Sequence, residues 1–254
     1  MSAPVNPFDL QGRLAVVTGG SKGLGAAAAA SLAAAGAELI LVARDPKALA
    51  ERADELRRFG RAVRCVSADL AQPGEAARAL EAACGDAGRI DILVNAAGAI
   101  TRGPALETSA EEFHRVMAVN AFGLWATCAA AAARMEHGGA IVNVASTAGL
   151  VGSTDRSAYA ASKGAVVQIT RALAVEFAPR NIRVNAVAPG PFATEMSRET
   201  QSSERWRRLI ADRIPLRRMA TPEEIGPPIL FLASPAASFI TGVILPVDGG
   251  WTAS

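Results

Sequence analysis

Short apolar runs alternate with helical patterns along most of the chain. Six runs rich in aliphatic and β-branched residues predict buried strands, at 13–18, 38–44, 61–67, 90–95, 140–145 and 182–187. Helical patterns lie between them, from the glycines near residue 25 to about residue 36, and over 75–84, 111–133 and 159–178. Strands that alternate with helices are typical of a parallel sheet with helices on both faces. The pattern therefore predicts a doubly wound α/β fold in one domain, 1–254.

Candidate site residues fall where the predicted strands end. In an open α/β sheet, ligands bind at the carboxyl ends of the strands. Six residues of chemical interest lie at those ends: Gly19, Arg44, Asp69, Asn95, Ser146 and Pro189. We therefore expect one edge of the sheet to carry the functional site.

A glycine-rich turn follows the first predicted strand and opens the first helix. Its spacing from Thr18 to Gly25 is T-G-x-x-x-G-x-G, which differs from the G-x-G-x-x-G dinucleotide fingerprint. The same physical devices are present, because glycines admit an anion close to the backbone and a helix N-terminus offers free N–H groups. A lone glycine turn is also compatible with a tight connection, but the flanking strand and helix favour a phosphate site.

The end of the second strand bears on the choice of cofactor. An acidic residue there would bond the 2′-hydroxyl of NAD, whereas an arginine accommodates the 2′-phosphate of NADP. This chain has Arg44, with no acid before Asp45, and Lys22 in the glycine turn is a second cation. The pattern favours NADP(H) and leaves NAD(H) as the alternative, since Arg44 could also simply end a strand in water.

The chain has a single tyrosine, Tyr159, four residues before Lys163. Residues four apart share one face of a helix. A nearby ammonium lowers the pKa of a phenol, which suits proton exchange with a ketone or alcohol oxygen. Taken alone, the pair is a weak signal, and a half-buried tyrosine beside a solvated lysine is the favoured interpretation.

Composition and charge argue against several classes of protein. A net charge of +2 gives no strong electrostatic footprint for nucleic acid. No segment reaches the roughly 18 apolar residues of a membrane-spanning helix, and the first residues lack the layout of a signal peptide. The three cysteines and two histidines have no metal-site spacing, and both histidines are expected at the surface. We expect a cytoplasmic protein with no metal, nucleic-acid or membrane partner.

Several short motifs together resemble the short-chain dehydrogenase/reductase family over nearly the whole chain. They are the glycine turn, Asn95 to Gly98, Ser146, the Tyr159/Lys163 pair, Pro189-Gly190 with Thr194, and the tail from Phe239 to Gly250. The resemblance implies a Rossmann-type fold, a nicotinamide cofactor and oxidoreductase activity on a small carbonyl or alcohol substrate. Members are commonly homotetramers, so a homotetramer is expected here.

The resemblance also implies roles for single residues. Tyr159 resembles the general acid/base, Lys163 its partner at the nicotinamide ribose, Ser146 the hydroxyl at the substrate oxygen, and Asn120 the asparagine of a proton-relay water. Asp69 resembles the aspartate at the adenine. The other implied cofactor contacts are Gly19, Ser21, Lys22, Gly23, Leu24, Gly25, Arg44, Leu70, Asn95, Gly98, Pro189, Gly190 and Thr194. Ala96 stands where the family usually has a second asparagine, and we expect only a small change in the bonding of that turn.

Substrate choice is expected in a lid over 192–218, with a short helix at 204–210. The arginines of this lid are balanced by acidic residues and fit a solvated helix face, although attraction of an anionic substrate or an acidic carrier protein stays open. Arg102 resembles an arginine of gluconate 5-dehydrogenase-like members and could clamp a carboxylate. The stretch 214–219 and the tail resemble 3-oxoacyl-carrier-protein reductases equally well. A non-catalytic NADP(H)-binding sensor is a further alternative, which the presence of Ser146, Tyr159 and Lys163 disfavours.

Overall fold

A parallel β-sheet lies at the centre of the computed structural model, which describes residues 6–85, 88–197 and 203–253. Within these ranges it has seven strands: β1 (Leu14–Thr18), β2 (Glu38–Ala43), β3 (Val63–Ser67), β4 (Ile92–Asn95), β5 (Gly139–Val144), β6 (Ile182–Pro189) and β7 (Ile244–Val247). The strands lie in the order β3-β2-β1-β4-β5-β6-β7, and every neighbouring pair is parallel. Successive strands are added on one side of β1 up to β3 and on its other side from β4 onward. Folds of this kind form a ligand-binding crevice at such a switch point, here between β1 and β4.

Helices connect the strands and cover the sheet. The described helices are α1 (Gly23–Ala34), α2 (Pro46–Leu56), α3 (Glu75–Cys84), α4 (Ala110–Met117), α5 (Leu124–Ala132), α6 (Ser157–Phe177), α7 (Glu204–Arg213) and α8 (Gly226–Ala233). A π-helical turn, Ala118–Gly123, joins α4 to α5. One-turn 3₁₀ helices include Thr147–Gly149, Glu195–Ser197 and Trp251–Ala253.

Two hydrophobic layers hold the sheet from opposite sides. Successive residues of a strand point to opposite faces, and in β1 the side chain of Val16 joins the layer formed with α3, α5 and α6. Ala15 and Val17 join the other layer, formed with α1, α2 and α8. Burial on both faces explains why the strands form continuous apolar runs instead of alternating with polar residues. The predicted doubly wound, Rossmann-type fold is confirmed.

Some elements escaped the sequence pattern. The seventh strand, β7, was not predicted, because it is a partly exposed edge strand and contains Pro246, which only an edge position tolerates. Helices α2 and α8 were also missed, and α8 begins with Gly226-Pro227-Pro228, which disguises a helix start. The strand predicted from residue 61 begins at Val63.

The helix predicted over 111–133 is not a regular α-helix. The π-helical turn Ala118–Gly123 interrupts it and turns Asn120 into the interior, where the residue is 0% exposed. A π turn adds a residue to one helical turn and frequently marks a functional site. The hydrophobic pattern of the sequence could not reveal this turn, because a single inserted residue changes the spacing of the apolar positions too little to be recognised.

One helical stretch, 110–132, passes a length and composition test for crossing a membrane. Half of its apolar window is buried inside the fold, where Val116, Leu124 and Cys128 pack against neighbouring elements. The core helix of a globular domain gives the same signal. Among the described residues, no group of three His, Cys, Asp or Glu side chains is arranged to hold a metal ion.

Candidate active site

A cavity of about 1330 Å³ opens at the carboxyl edge of the sheet. It collects nearly all of the residues that the sequence predicts for the site. Those that line it are Gly19, Ser21, Lys22, Gly23, Leu24, Gly25, Arg44, Asp69, Leu70, Gly98, Arg102, Ser146, Tyr159, Lys163, Pro189, Gly190 and Thr194. Asn95 and Asn120 do not line it, and each has a different place in the structure.

The glycine turn is shaped to bring an anion against the backbone. Gly19 has a φ of +66°, and a Cβ added there would stand 2.7 Å from the amide nitrogen of Ala97. A Cβ at Gly25 would overlap the carbonyl oxygen of Gly19. No side chain caps the N-terminus of α1, so its first N–H groups face the cavity mouth uncapped. These features fit the pyrophosphate of a dinucleotide, because the absent side chains and uncapped donors leave room and charge for it.

The end of β2 presents a cation to the cavity. Arg44 is exposed, and among the described residues it has no ion-pair partner. The Asp45 carboxylate accepts hydrogen bonds from the Lys47 and Ala48 amides at 2.9 and 3.2 Å, so it serves as the N-cap of α2. Lys22 donates to Glu195, which lies within the predicted lid, at 3.0 Å. One oxygen of the Asp45 carboxylate is therefore already engaged in helix capping.

Asn95 lies beneath the cavity floor and not in it. Its side chain donates to the Oδ1 of Asn143 at 3.0 Å and to the Sγ of Cys128 at 3.2 Å. It also accepts from the Thr18 hydroxyl at 3.3 Å. The Asn143 amide in turn donates to Thr170 in α6 at 3.0 Å. The Asn95 side chain thus belongs to a buried network that ties β1, β4, β5 and α6 together, and a contact between Asn95 and the cofactor stays a prediction.

Asn120 supports the wall of the cavity from behind. Its side-chain amide donates to the Ala99 carbonyl at 2.8 Å and to the Ser162 hydroxyl at 2.9 Å, and its Oδ1 accepts from the Ala99 amide at 2.8 Å. Ser162 donates to the carbonyl of Tyr159 at 2.7 Å. The π turn therefore locks the loop after β4 to the first turn of α6, which carries Tyr159.

Ser146, Tyr159 and Lys163 meet in the cavity, as the sequence predicts. Ser146 lies two residues after β5, and its hydroxyl accepts from the Ala148 amide at 3.1 Å and is hydrogen-bonded to Tyr159. Lys163 is 5% exposed, and its Nζ donates to the Val144 carbonyl at 2.7 Å. The same Nζ lies 6.0 Å from the centre of the Tyr159 ring. The helical spacing has thus brought phenol and amine to one side of α6.

Opposing influences act on the two titrating groups. Burial raises the pKa of Tyr159, while a hydrogen bond with Ser146 and the positive charges of Arg156 and Arg102 lower it. Burial also lowers the pKa of Lys163 to about 8. The sequence predicts that Lys163 lowers the pKa of Tyr159; in the structure burial is the largest influence and the pKa is raised on balance, and the charges that oppose burial are those of Arg156 and Arg102.

Arg156, Trp206 and Trp251 are among the cavity-lining residues that escaped the sequence reasoning. Arg156 immediately precedes α6, Trp206 lies in α7, and Trp251 lies in the last 3₁₀ turn. The position of Arg156, three residues before Tyr159, was a signal that could have identified it. The two tryptophans depend on how the lid and the tail fold back, which no local pattern shows.

The predicted lid is anchored at its base. The Ala193 amide donates to the Ala220 carbonyl at 2.9 Å, and the Ala220 amide donates to the Pro191 carbonyl at 3.0 Å. The predicted helix 204–210 is observed as α7, capped by Ser203, and runs on to Arg213. Residues 198–202 of the lid lie outside the described residues. Its described part reaches the cavity through Phe192, Thr194 and Trp206.

The chain is similar to known proteins over almost its whole length. A family model described as enoyl-(acyl carrier protein) reductase matches residues 19–252. A galactitol 2-dehydrogenase (L-tagatose-forming) from Cereibacter sphaeroides is 44% identical over 250 residues, which cover 96% of this chain and 97% of that protein. The chain belongs to the short-chain dehydrogenase/reductase family. The prediction of an NAD(P)-dependent oxidoreductase that acts on CH–OH groups is confirmed.

Two further relatives within this family are named as sugar-acid dehydrogenases. A 2-dehydro-3-deoxy-D-gluconate 5-dehydrogenase from Dickeya dadantii is 38% identical over 253 residues, 98% of this chain and 99% of that protein. A solved gluconate 5-dehydrogenase from Burkholderia cenocepacia, in complex with NADP and tartrate, is 33% identical with a TM-score of 0.94. The alignment covers 98% of each chain. All three relatives are named as dehydrogenases of a polyol or a sugar acid.

Proposed function

We propose that this short-chain dehydrogenase/reductase interconverts a ketone and a secondary alcohol, with Tyr159 as the general acid/base. The observation that carries the proposal is the meeting of Ser146, Tyr159 and Lys163 in the cavity that also holds the glycine turn. A bound nicotinamide supplies or accepts the hydride. The residues of the chain hold the substrate oxygen and move its proton.

The proton path follows from the hydrogen bonds of the site. Ser146 Oγ accepts from the Ala148 amide and is hydrogen-bonded to Tyr159, so a substrate oxygen that enters between the two hydroxyls could accept from both. Tyr159 then donates its proton to that oxygen during reduction and takes it back during oxidation. Lys163, anchored on the Val144 carbonyl, is held on the side of α6 that faces the phenol. It stabilises the phenolate when the proton leaves.

We propose NADP(H) as the preferred cofactor. Arg44 and Lys22 are the two cations at the glycine-turn end of the cavity. The carboxylate of Asp45, the residue that could select NAD, is engaged by the Lys47 and Ala48 amides. A 2′-phosphate would therefore meet the guanidinium of Arg44, and also the ammonium of Lys22 once that side chain leaves Glu195.

The proposed substrate is a keto sugar acid. Arg102 lines the cavity and places a guanidinium near Tyr159. A guanidinium binds a carboxylate in a bidentate fashion, and the Dickeya dadantii relative is named for a sugar acid. The family model is named for an acyl-carrier-protein reductase, so an acyl thioester belongs in the test panel.

We propose a cytoplasmic homotetramer. The helical stretch over α4, the π turn and α5 leaves three aromatic side chains partly exposed, Phe113, Phe122 and Trp125, at 40%, 39% and 47%. Covering them would remove apolar surface from water. Cys65, Cys84 and Cys128 are all free thiols, as a reducing compartment favours. Light scattering coupled to size exclusion measures the assembly, and a monomer at micromolar concentration would contradict it.

The test of the function uses one titration and one panel. NADPH and NADH are titrated by their fluorescence, and the tighter one is tested with 5-ketogluconate, a 3-oxoacyl thioester and a neutral ketone. We expect NADPH to bind more tightly and 5-ketogluconate to be turned over fastest. Turnover of the thioester alone would indicate a 3-oxoacyl-carrier-protein reductase. Cofactor binding without turnover of any substrate would favour a non-catalytic NADP(H)-binding sensor.

A further inference from the structure

Three segments that are distant in sequence meet beside Tyr159. The loop after β4 contributes Arg102, the residue before α6 contributes Arg156, and α7 contributes Trp206; all three line the cavity. The amide of Gly103 donates to the Asp155 carbonyl at 2.9 Å, which joins the first two segments. The guanidinium carbon of Arg156 lies 5.8 Å from the centre of the Trp206 ring, which joins the second to the third.

Two guanidinium groups, those of Arg102 and Arg156, lie close enough in this wall to repel each other. The charge of Arg102 and burial of the side chain both disfavour a charged Arg156, with burial the larger effect. Among the described residues, no acidic side chain forms an ion pair with Arg156. Like charges that share a partly desolvated wall repel each other. An anion bound between them would remove that repulsion.

The indole of Trp206 adds an unsatisfied donor. Its Nε1–H is buried and has no hydrogen-bond partner among the described residues. Leaving a buried N–H without an acceptor costs about 1–3 kcal/mol, so native structures usually satisfy such groups. Other atoms of Trp206 line the cavity, so a rotation of the indole on ligand binding would bring this N–H to an acceptor on the ligand.

The backbone at this point is also unusual. Asp155, directly before Arg156, has a φ of +58°, a left-handed conformation that non-glycine residues seldom adopt. Such strain persists where the surrounding structure fixes it, and it is concentrated at functional sites. Here it sets the direction in which the chain enters α6, and with it the position of Arg156.

We propose that Arg156 and the indole N–H of Trp206 form, together with Arg102, a subsite that binds the carboxylate of the substrate. This inference rests on the proposed function, because it names two further residues that recognise a sugar acid. A carboxylate has two oxygens, which can accept from a guanidinium and from the indole at once. The face of Trp206 meanwhile holds the Arg156 guanidinium in place.

The subsite has a consequence for the chemistry. The positive charges of Arg156 and Arg102 lower the pKa of Tyr159. A bound carboxylate neutralises part of this field, which raises the pKa of the phenol and keeps it protonated. A protonated phenol is the form that donates during reduction of a ketone. Substrate binding would thereby prepare the acid that the reaction needs.

The first experiment compares a keto acid with an uncharged ketose of similar size, 5-ketogluconate and L-tagatose. We expect Arg156→Gln to lower the ratio of kcat/KM for the acid over that for the ketose by about 10- to 100-fold. Arg156→Lys, which keeps the charge but not the planar fork, should recover part of the ratio. Trp206→Phe, which keeps the ring but deletes the N–H, should lower it by about 5- to 10-fold.

The matched control is Arg171→Gln, an exposed arginine of α6 whose side chain donates to Gln168 and does not line the cavity. Its ratio should stay within twofold of the wild-type value. Thermal melting of each variant checks folding. The pH at which alcohol oxidation reaches half of its maximum should rise in Arg156→Gln, because a positive charge near the phenol has been removed.

The outcomes separate this inference from the proposed function. If the wild type prefers the acid but Arg156→Gln affects both substrates equally, the subsite is wrong and the function stands. If the wild type prefers the ketose or the thioester, the proposal of a sugar-acid substrate is wrong, and so is the proposed carboxylate subsite. If neither is turned over, calorimetry with gluconate and the NADP⁺-loaded enzyme decides: binding that is lost in Arg156→Gln supports the subsite, and absence of binding to the wild type overturns it.

Discussion

Reversing the charge of Arg44 tests the cofactor end of the site. Arg44 is exposed at the end of β2 and lines the cavity, and the neighbouring Asp45 is engaged as a helix cap. We predict that Arg44→Asp shifts the preference of the enzyme from NADP(H) toward NAD(H). The substitution removes the guanidinium that would bind the 2′-phosphate of NADP(H), and the new carboxylate can accept a hydrogen bond from the 2′-hydroxyl of NAD(H).

The size of the effect follows from the exposure of this site. A hydrogen bond to a charged group contributes about 1.5–3 kcal/mol, and solvent at an exposed arginine reduces this to about 1–2 kcal/mol. That corresponds to a loss of about 5- to 30-fold in kcat/KM for NADP(H). A comparable gain for NAD(H) would move the ratio of the two by about 100-fold. Lys22 remains, so NADP(H) binding is weakened and not abolished.

The assay is steady-state kinetics with both cofactors at a saturating concentration of one substrate. Lys47→Asp is the matched control, because it makes the same change of charge three residues away and outside the cavity. Its ratio should change by less than about threefold. A ratio that fails to move in Arg44→Asp, or that moves equally in both variants, would refute the assignment of Arg44 to the 2′-phosphate.

Three further predictions follow from the geometry. Glu195→Gln removes the ion-pair partner of Lys22. Because an exposed ion pair contributes about 1 kcal/mol or less, NADPH should bind up to about fivefold more tightly in a fluorescence titration. An equal gain for NADH would contradict the assignment of Lys22 to the 2′-phosphate. Gly25→Ala should lower the melting temperature and weaken both cofactors, because overpacking costs about 1–3 kcal/mol and the methyl would overlap the Gly19 carbonyl; an unchanged melt would show that the turn can adjust. Lys163→Met should stabilise the apoprotein by up to about 3 kcal/mol at pH 7, because burial holds the lysine pKa at about 8.

The pH dependence of the lysine variant has a definite sign. The pKa of Lys163 is depressed in the folded state, from 10.5 to about 8. Between these two values the unfolded chain binds more protons than the folded one, so wild-type stability gains from this group as pH rises. The advantage of Lys163→Met should therefore be full below about pH 8 and fade toward pH 10.5. Denaturant unfolding at three pH values measures it, and a constant difference would mean that the lysine is not desolvated.

The sheet and the residues at its edge could be predicted from sequence because they depend on local patterns. A strand buried on both faces leaves a continuous apolar run, and the ends of parallel strands share one edge. Gly19, Ser146 and Pro189 follow from that rule, and all three line the cavity. β7 and α8 escaped because proline and glycine in or beside them mask the local signal.

Other parts of the site depend on packing that no local pattern encodes. Asn95 was expected at the cofactor, but its side-chain amide donates hydrogen bonds to Asn143 and Cys128 below the cavity. The burial of Asn120 requires a π turn, whose extra residue leaves no signature in the hydrophobic period. Trp206 reaches the cavity only because the lid folds back across it.

The measurement that tests the central claim most directly is the activity of Tyr159→Phe beside its cofactor affinity. The substitution removes one oxygen and keeps the ring, so folding and NADPH binding should stay close to wild type. Loss of the proton donor should lower kcat by about 100- to 10,000-fold for every substrate that the wild type turns over. Turnover near the wild-type rate, with normal folding and cofactor binding, would contradict the assignment of Tyr159 as the acid/base.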